Sequence, residues 1–131
     1  MNLKQFFCVM ATCVSLFSCN SMSVVSEFES VEVEPFSAII ADSEVQCVDV
    51  RTEAEHLEGH IPGSLNIDVT KEDFSSLAQS KLNKNQKVAI YCRSGNRSKK
   101  AAALLQHMGF DVVELASGFN GWKQAGKAFE K

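Results

Sequence analysis

The sequence predicts an α/β fold, a mainly parallel sheet of about five strands with helices on both faces. Three observations carry that expectation. Short apolar runs alternate with stretches of helical period between residues 31 and 127, the order that builds a covered parallel sheet. One run, Val88-Ala89-Ile90-Tyr91, ends on Cys92 and a glycine-bearing loop that opens into a helix-forming stretch, and parallel α/β folds place their chemistry at such strand ends. The length of 131 residues, 45% hydrophobic and 22% charged, suits one domain of about 100 residues with an extension.

The extension is N-terminal. Met1 to Gln5 is polar and carries Lys4, and Phe6 to Phe17 is a mostly apolar run of twelve residues, too short to span a bilayer comfortably. A basic start, an apolar middle and a small residue at the end predict a signal peptide over residues 1–18. Leu16-Phe17-Ser18-Cys19 resembles a bacterial lipobox, with Phe17 larger than the residue usual at its position. Cys19 is therefore expected to be lipidated and to become the new N-terminus. Residues 19–30 then tether a domain spanning 31–131, and several acyl chains would give stable attachment. The expected location is periplasmic or extracytoplasmic, on a bacterial membrane. An ordinary cleaved signal peptide with a coincidental cysteine, or an uncleaved anchor, is the plainer alternative.

Within the domain, Val31-Glu32-Val33 alternates like a short edge strand, and Pro35 suits the first turn of a helix through Phe36, Ile39 and Ile40. Val45 to Val50 reads as a buried strand. Thr52 and Glu55 form a capping box for a short helix over Glu53 to Glu58. Gly59-His60-Ile61-Pro62-Gly63 is a turn before a brief strand over Ser64 to Ile67. Lys71 to Ser80 looks helical, with Phe74, Leu77 and Ala78 on one face. Lys87 to Tyr91 is the strand feeding the loop. The helix Arg97 to Met108 carries the stripe Ala101, Leu104, Leu105 and Met108 and closes at Gly109. Asp111 to Leu115 is the last strand, and Gly118 to Ala125 a closing helix with Trp122, which is expected in the core.

Composition excludes several classes. A net charge of −3 argues against a nucleic-acid binder, and 7 Gly with 2 Pro against a low-complexity chain. Of the five cysteines, Cys8, Cys13 and Cys19 precede the domain. The remainder offers no pair or Cys/His cluster at zinc spacing, so neither a metal nor another cofactor is expected. Cys47 sits four residues before Arg51, ~13 Å from the strand's carboxyl end at about 3.3 Å per residue. A Cys47–Cys92 disulfide is thus not expected, and Cys47 reads as core packing.

The loop points to a thiolate. A free cysteine, with a pKa near ~8.5, needs a helix N-terminus or cations to ionise at neutral pH, and Arg93, Arg97, Lys99 and Lys100 accumulate here without an acid. Backbone N–H groups of residues 93–98 can cradle an anion, Arg93 and Arg97 can fork onto its oxygens, and Gly95 permits a positive φ. Ser98 can cap the helix or hydrogen-bond the sulfur. Lys99 and Lys100 form either a solvated helix face or an anion-steering patch. The bland alternative for Cys92 is a buried structural thiol.

Asp49-Val50-Arg51, Glu55, and Gly59-His60-Ile61-Pro62-Gly63-Ser64 with Asn66 closely resemble the first signature of the rhodanese domain. Cys92-Arg93-Ser94-Gly95-Asn96-Arg97-Ser98 resembles its active-site loop, and Leu115-Ala116-Ser117-Gly118 with Trp122 its closing segment. His56 and Phe119 depart from the family pattern and are expected to lie outside the loop chemistry. The resemblance implies a single-domain sulfurtransferase in which Cys92 takes the outer sulfur of thiosulfate or a similar anion. The persulfide then passes to a thiol, to cyanide or to a thioredoxin-like protein. Arg93, Ser94, Gly95, Asn96, Arg97 and Ser98 would bind the substrate. Asp49 and Arg51 are expected to form an ion pair or hydrogen-bond frame beneath the loop. His60 is expected to be structural, and His56 and His107 to be surface or flanking residues. The domain is expected to be monomeric. Two rivals stand beside this reading: a membrane-tethered persulfide carrier or interaction module, and a rhodanese-related phosphatase or arsenate reductase. The latter use five residues between cysteine and arginine, whereas four separate Cys92 from Arg97.

Overall fold

The computed structural model describes residues 28–131. The expected signal peptide, Cys19 and most of the expected tether lie outside the described residues. Five strands form one parallel sheet in the order β1-β5-β4-β2-β3, with β1 over Glu29–Val31, β2 over Gln46–Asp49, β3 over Leu65–Asn66, β4 over Val88–Tyr91 and β5 over Val112–Leu115. The helices are α1 (Val33–Ile40), α2 (Glu53–Glu58), α3 (Phe74–Lys81), α4 (Asn96–His107) and α5 (Gly118–Gln124).

Both sheet faces are covered, as a parallel sheet requires. Side chains alternate along β4: Val88 and Ile90 join a core with Phe74, Ala101 and Leu105 from α3 and α4. Ala89 and Tyr91 join the opposite core with Phe36 and Trp122 from α1 and α5. Trp122 is 5% exposed, meets Phe36 edge-on at 6.4 Å and donates its Nε1–H to the Ala128 carbonyl at 2.8 Å. Its expected place in the core holds.

Two boundaries differ from the sequence reading. The first strand lies over Glu29–Val31, not Val31 to Val33, because pairing with β5 decides its position (Ser30 opposite Glu114, Val31 opposite Leu115). Val33 instead opens α1, placing Pro35 inside the first turn, where a missing N–H costs nothing. The third helix starts at Phe74, since Lys71 to Asp73 form a turn closed by the bond from Phe74 N–H to the Lys71 carbonyl. The capping box at Thr52 and Glu55 is present with both reciprocal hydrogen bonds.

Candidate active site

The site is built where β4 stops. All four residues of β4 are buried, so the strand delivers Cys92 to the edge of the core, where it is 1% exposed. The chain then turns sharply through Gly95, whose φ of 104° is a left-handed conformation suited to glycine. A Cβ there would also fall 2.3 Å from the Ala116 carbonyl oxygen. This turn aims the Gly95 N–H at Cys92 Sγ, 3.1 Å away, while Ser98 Oγ on α4 lies 3.4 Å from the sulfur. Burial pushes the thiol up, but hydrogen bonds from the Ser98 hydroxyl and the N–H groups of Ser98, Gly95 and Ser94 outweigh it and hold Cys92 below its ordinary range. The loop is fastened from above by α5: Phe119 N–H donates to the Cys92 carbonyl at 2.8 Å and Asn120 N–H to the Arg93 carbonyl at 3.0 Å.

The two loop arginines part company. Arg93 is exposed and lines a cavity of about 350 Å³ with Arg51, Phe119, Asn120 and Lys123. Arg97, expected to fork onto an anion, instead forks onto Glu55 with bonds of 2.7 and 2.8 Å. The capping box already fixes the Glu55 carboxylate through Thr52, so it meets the guanidinium preorganised. Ser94 and Asn96 are exposed at the rim. Lys99, expected to be a solvated or steering residue, reaches back to Glu114 Oε1 at 3.1 Å and to the Gly95 carbonyl at 3.3 Å.

Asp49 and Arg51 form a buried ion pair, 2.7 Å at its shortest. Arg51 also donates to the Gly59 carbonyl at 2.6 Å, and its guanidinium lies 4.4 Å from the centre of the Phe119 ring. His56, expected to be a surface or flanking residue, sits with Nδ1 2.9 Å from Asp49 Oδ2 and stacks on His60 at 3.8 Å. Phe119, expected to stand apart from the chemistry, holds the Cys92 carbonyl and walls the cavity. In both places short-range pattern gave no sign of a partner brought in from another segment. Cys47 and Cys92 are both free. Burial, with Asp49 nearby, pushes the Cys47 thiol up to about 12.

One residue at the site escaped the sequence reading. Glu114 is fully buried in β5 and receives the Ser98 hydroxyl at 2.6 Å. Its signal was visible: a single acid within the otherwise apolar strand Val112-Val113-Glu114-Leu115.

A five-stranded parallel sheet with a buried cysteine at the turn from a strand into a helix defines a class of α/β domains. The comparisons narrow it: the rhodanese-like domain profile matches residues 32–125, and the chain belongs to that family. It is 37% identical over 105 residues to a sulfurtransferase of Allochromatium vinosum, covering 79% of this chain and 92% of that protein. It is 38% identical over 96 residues to a tRNA uridine(34) hydroxylase of Acaryochloris marina, covering 69% of this chain but spanning only 30% of that protein. Among solved structures, the rhodanese-like domain of an Anabaena protein superposes with a TM-score of 0.71 at 25% identity, covering 79% of this chain and 80% of that one.

The Glu55–Arg97 clamp predicts an acid-sensitive contribution to stability. The Arg97 hydrogen bond, opposed by partial burial and helped by Thr52, lowers Glu55 from 4.5 to about 2. A lowered carboxylate stabilises the fold fully above its unfolded pKa and loses that contribution as pH falls through the folded one. Glu55→Gln is therefore expected to cost about 1–3 kcal/mol at neutral pH, allowing for partial solvent screening. Urea melts should show the gap to wild type closing as pH falls from 4.5 to about 2. A gap that is constant with pH contradicts the assignment.

Proposed function

We propose that the domain is a sulfurtransferase that moves a sulfane sulfur from thiosulfate or a similar anion, through a persulfide on Cys92, to a thiol or cyanide acceptor. The observation that carries this reading is the sulfur cradle. Cys92 Sγ receives the Gly95 N–H at 3.1 Å and faces Ser98 Oγ at 3.4 Å, and the next residue, Arg93, lines a cavity with Lys123, Glu55 and Glu58. The donors stabilise an anionic sulfur, and the exposed cations favour an anionic donor molecule. In the first half-reaction the Cys92 sulfur attacks the donor's outer sulfur, and the S–S bond of thiosulfate breaks with its electron pair leaving on sulfite. In the second, an acceptor thiol attacks the terminal sulfur and Cys92 departs as the thiolate.

The four-residue spacing between Cys92 and Arg97 favours this chemistry over phosphoryl transfer, and the Arg97 side chain is held by Glu55. The N-terminal sequence supports a lipid tether on Cys19 outside the cytoplasm, where Cys92 would rely on external thiols. Purified protein given thiosulfate should gain about 32 Da on Cys92, the mass of one sulfur, and Cys92→Ala should gain none. Equal loading of the two would overturn the mechanism, as would turnover of phosphate esters alone. If only one particular protein discharges the loaded sulfur, the domain is a persulfide carrier.

A further inference from the structure

We propose that Glu114 is the proton acceptor of a Cys92–Ser98–Glu114 relay, taking the thiol proton as Cys92 becomes a nucleophile and returning it when Cys92 departs. This inference rests on the sulfur-transfer reading and assigns a further residue to that reaction. Ser98 has one hydroxyl proton and three acceptors within reach: Glu114 Oε2 at 2.6 Å, the Gly95 carbonyl at 3.0 Å and Cys92 Sγ at 3.4 Å. The shortest contact goes to the carboxylate, so with Cys92 as a thiol the chain runs S–H to Ser98 oxygen, then Ser98 O–H to Glu114. Moving one proton across each link reverses it: Glu114 O–H donates to Ser98, and Ser98 donates to the thiolate. Both states keep both hydrogen bonds and no heavy atom needs to move, which suits a fully buried path.

The other contacts of Glu114 fall on Oε1 and leave Oε2 to Ser98. Lys99 from α4 approaches Oε1 at 3.1 Å, Ser30 from β1 donates to the same oxygen, and β4 faces it with the apolar Ile90. Arg97, clamped by Glu55, is a further cation in electrostatic reach of Cys92. Loading sulfur leaves an anionic persulfide two hydrogen bonds from Glu114, and two neighbouring anions in a buried setting disfavour each other. The relay removes the conflict. Cys92 S–H gives its proton to Ser98, Ser98 gives its own to Glu114, and the sulfur forms its bond to the donor's outer sulfur while sulfite leaves. The products are the persulfide anion, sulfite and a neutral Glu114. When an acceptor thiol takes the terminal sulfur as its persulfide, the departing Cys92 thiolate recovers the proton along the same path.

The test is single-turnover sulfur loading from thiosulfate, with iodoacetamide alkylation of Cys92 in parallel, each across pH. Glu114→Gln is expected to slow both by about 100-fold or more near neutrality, the usual range of general-base assistance being ~10²–10⁴. The loss should vanish at high pH, where the thiol ionises unaided. Ser98→Ala, which leaves Lys99 and Ser30 on Glu114, should show the same low-pH loss, and the double variant should be no slower than the slower single one. Rates for Glu114→Gln equal to or above wild type at every pH would overturn the relay, as would an equal loss at all pH. If Glu114→Gln does not fold, the pH profile of Ser98→Ala decides by the same criteria. Wild type that is alkylated with this dependence but takes no sulfur from thiosulfate would sink the donor reading and leave the relay standing.

Discussion

Asp49→Ala is expected to lower the unfolding free energy by about 3–5 kcal/mol, the range for removing one partner of a buried ion pair. The reason is the number of groups that this carboxylate serves. It accepts the Arg51 backbone N–H at 2.9 Å, the Arg51 guanidinium at 2.7 Å, the Tyr91 hydroxyl at 3.1 Å and the contact from His56 Nδ1 at 2.9 Å. Asp49 is 0% and Arg51 4% exposed, so truncation leaves a largely buried guanidinium without its charged partner. Tyr91 is neutral because burial, with Asp49 beside it, pushes its hydroxyl up, and it also holds the Ile61 N–H at 3.0 Å and the Ser64 hydroxyl at 2.9 Å. Losing Asp49 therefore loosens the Gly59–Ser64 turn as well as the β2 end. Against a total stability of about 5–15 kcal/mol for a domain, the loss should unfold a measurable fraction of molecules at 37 °C. Urea titration checks it: a midpoint shift no larger than that of an exposed control such as Lys100→Ala would refute the assignment. Asp49→Asn, which keeps some hydrogen bonds but not the charge, should fall between the two.

Gly118→Ala is expected to disable sulfur loading at Cys92 by about 100-fold, the scale for a displacement of about 1 Å at a reacting centre. Gly118 has φ of 65°, and a Cβ there would lie 2.5 Å from the carbonyl carbon and oxygen of Arg93 and 2.7 Å from the Ser94 nitrogen. Those are backbone atoms of the loop that follows Cys92, with no side-chain rotation to relieve the overlap. Either the loop moves or α5 moves. If α5 moves, the Phe119 and Asn120 N–H bonds to the Cys92 and Arg93 carbonyls stretch. Added to the cost of alanine in a left-handed conformation, this should also lower stability by about 2 kcal/mol or more. Gly126→Ala is the control. Its φ of 75° carries similar strain, yet nothing lies within 4 Å of the added atom, so it should lose stability while loading sulfur normally. Similar activity losses in both variants would mean that backbone strain alone, not intrusion on the loop, is responsible.

Much of the fold was readable because it is locally encoded. The Thr52–Glu55 capping box spans four consecutive residues and formed as expected. Gly109, at φ 100°, closes α4 where its position after the apolar stripe indicated. The strand ending at Cys92 and the helix after it follow from side chains that interact with their own turn. The first strand was misplaced because nothing local distinguishes Val31-Glu32-Val33 from Glu29-Ser30-Val31. The choice lies with β5, more than eighty positions along the chain.

The same distinction holds at the site. By itself the sequence determined the setting of Cys92: a cysteine at a strand end, a glycine turn, and a helix start crowded with cations. Only the tertiary structure decided which of those cations are free. Arg97 meets Glu55 across 42 positions of sequence, Lys99 turns inward to Glu114, and Arg93 keeps its exposure at the cavity. The physical reason is the range of the interactions. Turns and caps are satisfied by neighbours in the chain, whereas a charge takes whichever opposite charge the packed sheet brings within a few ångströms, and that partner has no fixed spacing in sequence.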